Sequence, residues 1–245
     1  MAHPCAAPAS EALMEQYGRV LSACALFRGM SPEEIGEILS CLGARVRRFA
    51  RSETVLSEGS PARKLGIVLS GAVQIVRVDY YGSRSIVGTA QEGQLFSETF
   101  VYAGVEVMPV SVVASSECAA LLIDARALVS PCQKACAFHS RLIYNLLHVL
   151  AAKNLMFTRK NEITSKMGTR AKLMAYLTAE AQRHGSSTFS IPFDRQALAD
   201  YLNVDRSGLS AEIGRLRREG VIKCTKNQFT LMKPGDGEED EGGSR

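Results

Sequence analysis

The sequence predicts an α+β chain: a compact β-barrel or sandwich, then one long helix, then a winged helix-turn-helix. Three observations predict it. Short β-like runs punctuated by glycine fill Arg45 to Asp124. An apolar-periodic stretch free of Gly and Pro follows Pro131 and reaches about Lys160. Two short helical patterns then meet at Asn203, and a hairpin pattern follows them.

Residues 1–19 are Ala/Pro-rich and read as a loosely ordered arm. Beyond them, Ser31 is a good N-cap, Pro32 suits the first helical position and Glu34 completes a capping box. Ile35, Ile38, Leu39 and Leu42 continue at helical spacing. The clearest β-runs are Leu65–Leu69, Ala72–Val78, Ser85–Gly88, Val110–Ala114 and Ala119–Ile123. Many short strands with glycine turns make a closed or sandwiched β-domain. The long stretch carries Leu142, Ile143, Leu146, Leu147, Val149, Leu150, Leu155 and Phe157. A helix of roughly 28 residues spans roughly 42 Å, more than a small domain needs. Either it pairs with its symmetry mate in a homodimer, with Leu142, Leu146 and Leu150 at the seam, or it is a core helix of one subunit. The chain thus divides into an arm (1–19), a β-domain (20–130), the long helix (131–163), a winged domain (164–233) and an acidic, disordered tail (234–245).

Within the winged domain, Thr169 to Arg183 is helical and Gly185 stands where a helix C-terminus wants it. A short strand at Thr188–Phe193 precedes Asp194, an N-cap. In the next helix Leu198 and Leu202 face inward, and Ala199 is small where a second helix crosses. Asn203 tolerates the left-handed turn, Val204 plugs it, and Asp205 caps the second helix. Leu209, Ile213 and Leu216 form that helix's buried stripe, which leaves Arg206, Ser207, Ser210 and Ala211 to point into a major groove. Arg195, Gln196, Asp205 and Arg215 complete the expected contact set with double-stranded DNA.

Charge agrees. Residues 153–233 hold 15 Lys+Arg against 7 Asp+Glu, net +8, whereas residues 1–152 hold 13 of each. A basic surface of this kind suits phosphates, although a merely solvated face has the same composition. Seven cysteines, an odd number with no CxxC pair, indicate a reducing, cytoplasmic compartment. No signal peptide or membrane span is expected, so no membrane partner. Neither a P-loop nor a Ser/His/Asp order nor a metal-ligand cluster is evident, which excludes an enzyme.

In these pieces the chain resembles the Crp/Fnr superfamily of bacterial regulators from about Leu26 to Met232. Leu26-Phe-Arg-Gly-Met-Ser, Gly71-Ala-Val-Gln-Ile, Phe96-Ser-Glu-Thr-Phe, the long helix and Phe193-Asp-Arg-Gln-Ala-Leu-Ala-Asp-Tyr-Leu-Asn-Val-Asp-Arg-Ser match in order. The resemblance implies a double-stranded β-helix (cupin-like β-roll) as effector domain, a homodimer on a near-palindromic DNA site, and RNA polymerase as a further candidate partner.

Departures from the family pattern bear on the effector. Cyclic-nucleotide-binding members hold the ligand with a Gly-Glu pair and a later Arg-Ser or Arg-Thr pair. Here Ser97 replaces the Gly, Glu98 is retained, and the later pair is Met108-Pro109. Two helix hydroxyls are replaced by Leu155 and Met156. Without its Arg, a phosphate loses a bidentate, charge-assisted contact. The expected pocket of Ser97, Glu98, Thr99, Met108, Pro109, Leu155 and Met156 therefore takes a small effector other than a cyclic nucleotide. The alternative is a cyclic-nucleotide-binding regulatory module. Iron–sulfur members use clustered N-terminal cysteines, and Cys5 is alone, so no such cluster is expected. Cys132, Cys136 and His139 share a helix face, as a redox or metal site or as ordinary packing. In the recognition helix, Ala211 stands at the usual Arg place.

Overall fold

The computed structural model describes residues 8–81, 84–129 and 137–232. Cys5, Cys132, Cys136 and the acidic tail lie outside the described residues. The chain forms two compact units, Met1–Ala152 and Lys153–Arg245, and the fold is α+β as expected.

The first unit opens with α1 (Pro8–Ala23), where the composition had suggested a loose arm. The helix has simple causes. Alanine is a strong helix former, Pro8 sits at the helix start where its missing N–H costs nothing, and Tyr17 and Leu21 are buried one turn apart. A short 3-10 turn, Ala25–Phe27, leads to α2 (Pro32–Cys41). The capping box is formed: the Glu34 N–H donates to Ser31 Oγ at 3.3 Å, and the Ser31 N–H donates to Glu34 Oε2 at 2.8 Å.

Eight strands follow: β1 (Arg45–Phe49), β2 (Thr54–Leu56), β3 (Lys64–Ser70), β4 (Ala72–Val78), β5 (Arg84–Gln91), β6 (Leu95–Phe96), β7 (Ser111–Ala114) and β8 (Cys118–Asp124). They pair antiparallel into two four-stranded sheets, ordered β1-β8-β3-β6 and β2-β7-β4-β5. Two short helices, α3 (Glu98–Tyr102) and α4 (Ala125–Val129), interrupt and close the sandwich. Phe49, Val68, Phe96, Met108, Val112 and Leu122 belong to one core drawn from both sheets. The alternate residues of β3 and β8, among them Leu65, Ile67, Leu121 and Ile123, belong to a second core with Leu21, Phe27, Ile35 and Ile38.

The long helix α5 runs from Ala137 to Thr164. Its first turns belong to that second core. Leu142 and Leu146 are buried there, and Leu150 packs half-buried against it. Of the three residues expected at a dimer seam, Leu142 and Leu146 are buried within one protomer and so turn away from it, while Leu150 keeps part of its surface open. Asn145 fixes the same face, its Nδ2 donating to the carbonyls of Leu26 and Arg28 at 2.9 Å each. On the other side Tyr144 and Leu147 are 61% and 60% exposed.

Tyr102 gives the first unit an alkaline signature. Its hydroxyl donates to Ala125 O at 3.1 Å. Burial, helped by the charge of Asp124, pushes its pKa up to about 12 from the ordinary 10.0. Between these values the unfolded chain has released a proton that the folded chain retains. The tyrosine's contribution is therefore complete below about pH 10 and is lost as pH rises toward about 12. Urea midpoints measured across that window are expected to fall, and Tyr102→Phe, which cannot ionise, to flatten part of the fall.

The second unit contains α6 (Thr169–His184), β9 (Thr188–Ser190), α7 (Arg195–Leu202), α8 (Arg206–Arg218), β10 (Ile222–Thr225) and β11 (Gln228–Leu231). Strands order β10-β11-β9 as a three-stranded wing. Ile163, Leu173, Leu177, Leu198, Leu209, Leu216 and Phe229 share its core. No helix among the described residues is long and apolar enough to cross a membrane.

Candidate nucleic-acid interface and effector region

The helix-turn-helix is built as its residues dictate. Asp194 Oδ1 accepts from the Ala197 N–H at 2.8 Å and starts α7. Asn203 ends it at φ 51°, ψ 57°, a left-handed conformation that Asn adopts more easily than most residues. The carbonyl of Asn203 accepts from Lys172 Nζ at 3.2 Å, which ties the turn to α6. Ala199 is fully buried, and Leu209, Ile213 and Leu216 form the inward stripe of α8. Lys226, at φ 53°, makes the wing turn.

The expected DNA contacts divide into two groups. Arg206, Ser210 and Gln196 are exposed. Gln196 donates to Asp200 Oδ1 at 2.8 Å, and Arg206 makes no salt bridge or side-chain hydrogen bond among the described residues. The others have structural employment. Asp205 caps α8, accepting from the Ser207 hydroxyl and from the Gly208 N–H at 2.7 Å. These bonds hold its carboxyl below the ordinary range and occupy the Ser207 proton. Arg195 donates to Cys224 Sγ at 3.1 Å and stacks over the Phe229 ring at 5.3 Å, which pins α7 to the wing. Arg215 donates to Glu212 Oε2 at 2.9 Å.

Sequence reasoning missed the network to which Arg215 belongs. Glu212 is buried on α8 and also faces Arg170 of α6 at 3.6 Å. Arg170 forks onto Glu219 with contacts of 3.1 and 2.6 Å. Glu219 stands just beyond α8, so one guanidinium faces a carboxylate in the middle of that helix and another at its end. The only sequence signal was the i, i+3 pair Glu212 and Arg215; the 49-residue reach from Arg170 to Glu219 is tertiary.

In the first unit, Ser97 and Met108 do come together. The Ser97 hydroxyl donates to Met108 Sδ at 3.4 Å, and both residues are buried. Ser97 stands at φ 69°, ψ −9°. That left-handed conformation is the one glycine adopts without steric cost, and it explains why glycine suits the position in the resembling family. Glu98 is buried with its Oε1 accepting from Thr99 Oγ1 at 3.2 Å, while Thr99 is exposed and Pro109 half-buried. Met108 is thus part of the sandwich core. Leu155 and Met156 lie in the second unit, 59% and 57% exposed. A separate cleft of 620 Å³ opens between Arg63, Val101, Tyr102, Val107, Arg126 and Val129. It shares none of the expected pocket residues. His139 is buried, and among the described residues no three His, Cys, Asp or Glu side chains group as metal ligands do.

Residues 46–134 match the cyclic nucleotide-binding domain, and residues 171–235 match the Crp-like helix-turn-helix domain. The nitrogen fixation regulation protein FixK of Bradyrhizobium diazoefficiens is 26% identical over 92% of this chain and 95% of its own length. The global nitrogen regulator of Synechocystis is 23% identical over 77% of this chain and 85% of its own. Among solved structures, the c-di-GMP responsive global regulator CLP of Xanthomonas campestris superposes with a TM-score of 0.54 at 18% identity, over 83% of this chain and all of CLP. A cyclic nucleotide-binding domain from Methylobacillus flagellatus gives 0.50 at 20% identity, over 60% of this chain and 81% of that domain. With a cyclic nucleotide-binding domain followed by a Crp-like helix-turn-helix on one chain, the protein belongs to the Crp/Fnr family of transcription regulators, a family without enzymatic activity.

Proposed function

We propose that this regulator works as a homodimer that reads DNA with the exposed face of α8 and answers to a small effector other than a cyclic nucleotide, or to a redox signal. The observation that carries the DNA reading is α8 itself: a helix capped by Asp205, buried along Leu209, Ile213 and Leu216, with Arg206 and Ser210 on its open side. Arg206 stands on the first turn, the part of a recognition helix that meets base edges. Gel-shift titration of Arg206→Ala is the test. A base contact loses about 1–3 kcal/mol, selectively at one operator position. A phosphate contact weakens all sequences alike. Unchanged affinity on every sequence removes α8's first turn from the groove.

The effector reading is supported by chemistry at one position. Where the family resemblance calls for an arginine, Met108 packs in the sandwich core and Pro109 has no N–H to offer a phosphate. A buried anion without a compensating cation costs several kcal/mol. Calorimetric titration with cyclic AMP and cyclic GMP is expected to show no saturable heat. Saturation at low micromolar ligand overturns this part and restores the cyclic-nucleotide module.

A further inference from the structure

We infer that the last turns of α8 are a docking surface for the chain's own acidic segment, Asp236–Glu241, which competes there with DNA phosphate. The inference rests on the DNA-binding reading of α8 and adds to it the ligand of the helix's far end.

The charges of the two segments are complementary. Five of the six residues from Asp236 to Glu241 are acidic. Arg215, Arg217 and Arg218 all fall in the last turn of α8. The negative end of a helix dipole repels a carboxylate; there the guanidiniums of Arg217 and Arg218, with Glu219 beside Arg218, reverse that sign. Arg215 is engaged by Glu212. Arg217 and Arg218 are exposed and make no salt bridge or side-chain hydrogen bond among the described residues.

The surface also has room for an extended chain. Arg217 and Arg218 line a shallow groove of 370 Å³ together with Gly214. A Cβ at Gly214 would meet nothing within 4 Å, so the helix backbone itself is open to an approaching chain. The small side chains Ser207, Ser210 and Ala211 keep the rest of the exposed face low.

The acidic segment is within reach of the arginines. The Met232 N–H donates to Val221 O, and the Val221 N–H to Leu216 O, each at 3.0 Å. The chain therefore leaves the wing beside the C-terminal end of α8. Three residues separate Met232 from Asp236. At roughly 3.3–3.6 Å per extended residue, Asp236 lies within roughly 14 Å of that anchor and Glu241 within roughly 30 Å. The 13 residues of α8 span roughly 20 Å. The acids begin at the arginines and need no long loop to reach them.

A tail held this way must be displaced by any DNA, so it lowers affinity for every sequence by the same factor and leaves base discrimination, which base contacts set, unchanged. The test is a cycle on the full chain. One arm neutralises the tail (Asp236→Asn, Glu238→Gln, Glu239→Gln, Asp240→Asn, Glu241→Gln), and the other neutralises the groove (Arg217→Gln, Arg218→Gln). Binding to a short non-operator duplex is followed by fluorescence anisotropy. Tail neutralisation is expected to tighten binding about five- to tenfold at ~50 mM salt, with the gap closing toward ~200 mM. In the Arg217→Gln, Arg218→Gln background the same change is expected to shift affinity less than about twofold. An equal gain in both backgrounds means the tail acts by net charge alone and overturns the docking. Equal affinity with and without the tail charges overturns the competition while DNA binding stands. If neither protein binds the duplex at low salt, the DNA reading of α8 falls and takes the inference with it.

Discussion

Replacing Tyr144 and Leu147 together by aspartate is expected to leave the first unit folded and to turn a dimer into monomers. Both side chains project from α5 into solvent, 61% and 60% exposed, on the side of the helix away from Leu142, Asn145 and Leu146. Tyr144 also stacks edge-on with His148 at 4.5 Å, so the exposed face is partly ordered in the free protomer. In the next unit Leu155, Met156 and Phe157 of the same helix are likewise more than half exposed. Large apolar side chains repeated along one helix seek a partner helix. Because a dimer engages two half-sites at once, monomers are expected to bind a palindromic operator about a hundredfold or more weakly. Sedimentation velocity at micromolar protein, with circular dichroism as the folding control, reads both effects. Leu146→Asp is the contrast. It buries a charge in the protomer's own core and is expected to cost more than about 3 kcal/mol of stability. A double variant that still sediments as a dimer, or a wild type that sediments as a monomer, sinks the α5 seam.

Gly66→Ala is expected to be among the most damaging single-methyl changes in the first unit, about 3 kcal/mol. Gly66 of β3 pairs with Phe96 of β6, and the Phe96 ring lies directly over it. A Cβ there would stand inside the ring's van der Waals envelope, and Phe96 is fully buried with no free direction to retreat. The next residue, Ser97, is already in the left-handed region, so the backbone has little slack. Phe96→Leu alone leaves a cavity worth about 1–2 kcal/mol. Combined with Gly66→Ala it is expected to give a protein more stable than Gly66→Ala alone, a non-additive pair that urea unfolding measures directly. If Gly66→Ala unfolds at the wild-type urea concentration, the ring does not sit where the structure puts it.

Much of the winged domain was legible because its signals are local. Asp194, Asn203, Asp205 and Gly185 each act within a turn of their own position, and the stripe Leu209, Ile213 and Leu216 has a single possible inside. The β-runs from Leu65 to Ile123 were legible for the same reason. The long helix was harder. Periodicity located it, but α5 is apolar on more than one side, and sequence spacing does not say which side meets its own protomer. Leu146 and Leu147 are neighbours in sequence, one buried and one exposed; only the packing of α1 and α2 decides between them. α1 was hidden by composition, since Ala and Pro suggest a loose chain until Tyr17 and Leu21 are seen to need covering. The expected effector contacts were legible as positions and not as space: Ser97 and Met108 do meet, and they meet as packed side chains. Arg195 and Arg215 were assigned outward by their charge, whereas Cys224, Phe229 and Glu212 give them partners that no local pattern announces.

β8 separates two cores, and its residues from Cys118 to Ile123 are buried without exception, Cys118, Ala120 and Leu122 toward one and Ala119, Leu121 and Ile123 toward the other. An ordinary surface strand gives sequence drift every second position as neutral ground. This one gives none. A change on one side displaces a strand whose next residue is packed on the other, so a substitution here is expected to disturb the packing of α1, α2 or α5 as well. The inner sandwich and the outer helices are therefore expected to change as a linked pair, whereas β4 buries Val73 and Val76 and leaves Arg77 and Val78 in solvent, where substitutions meet no second core.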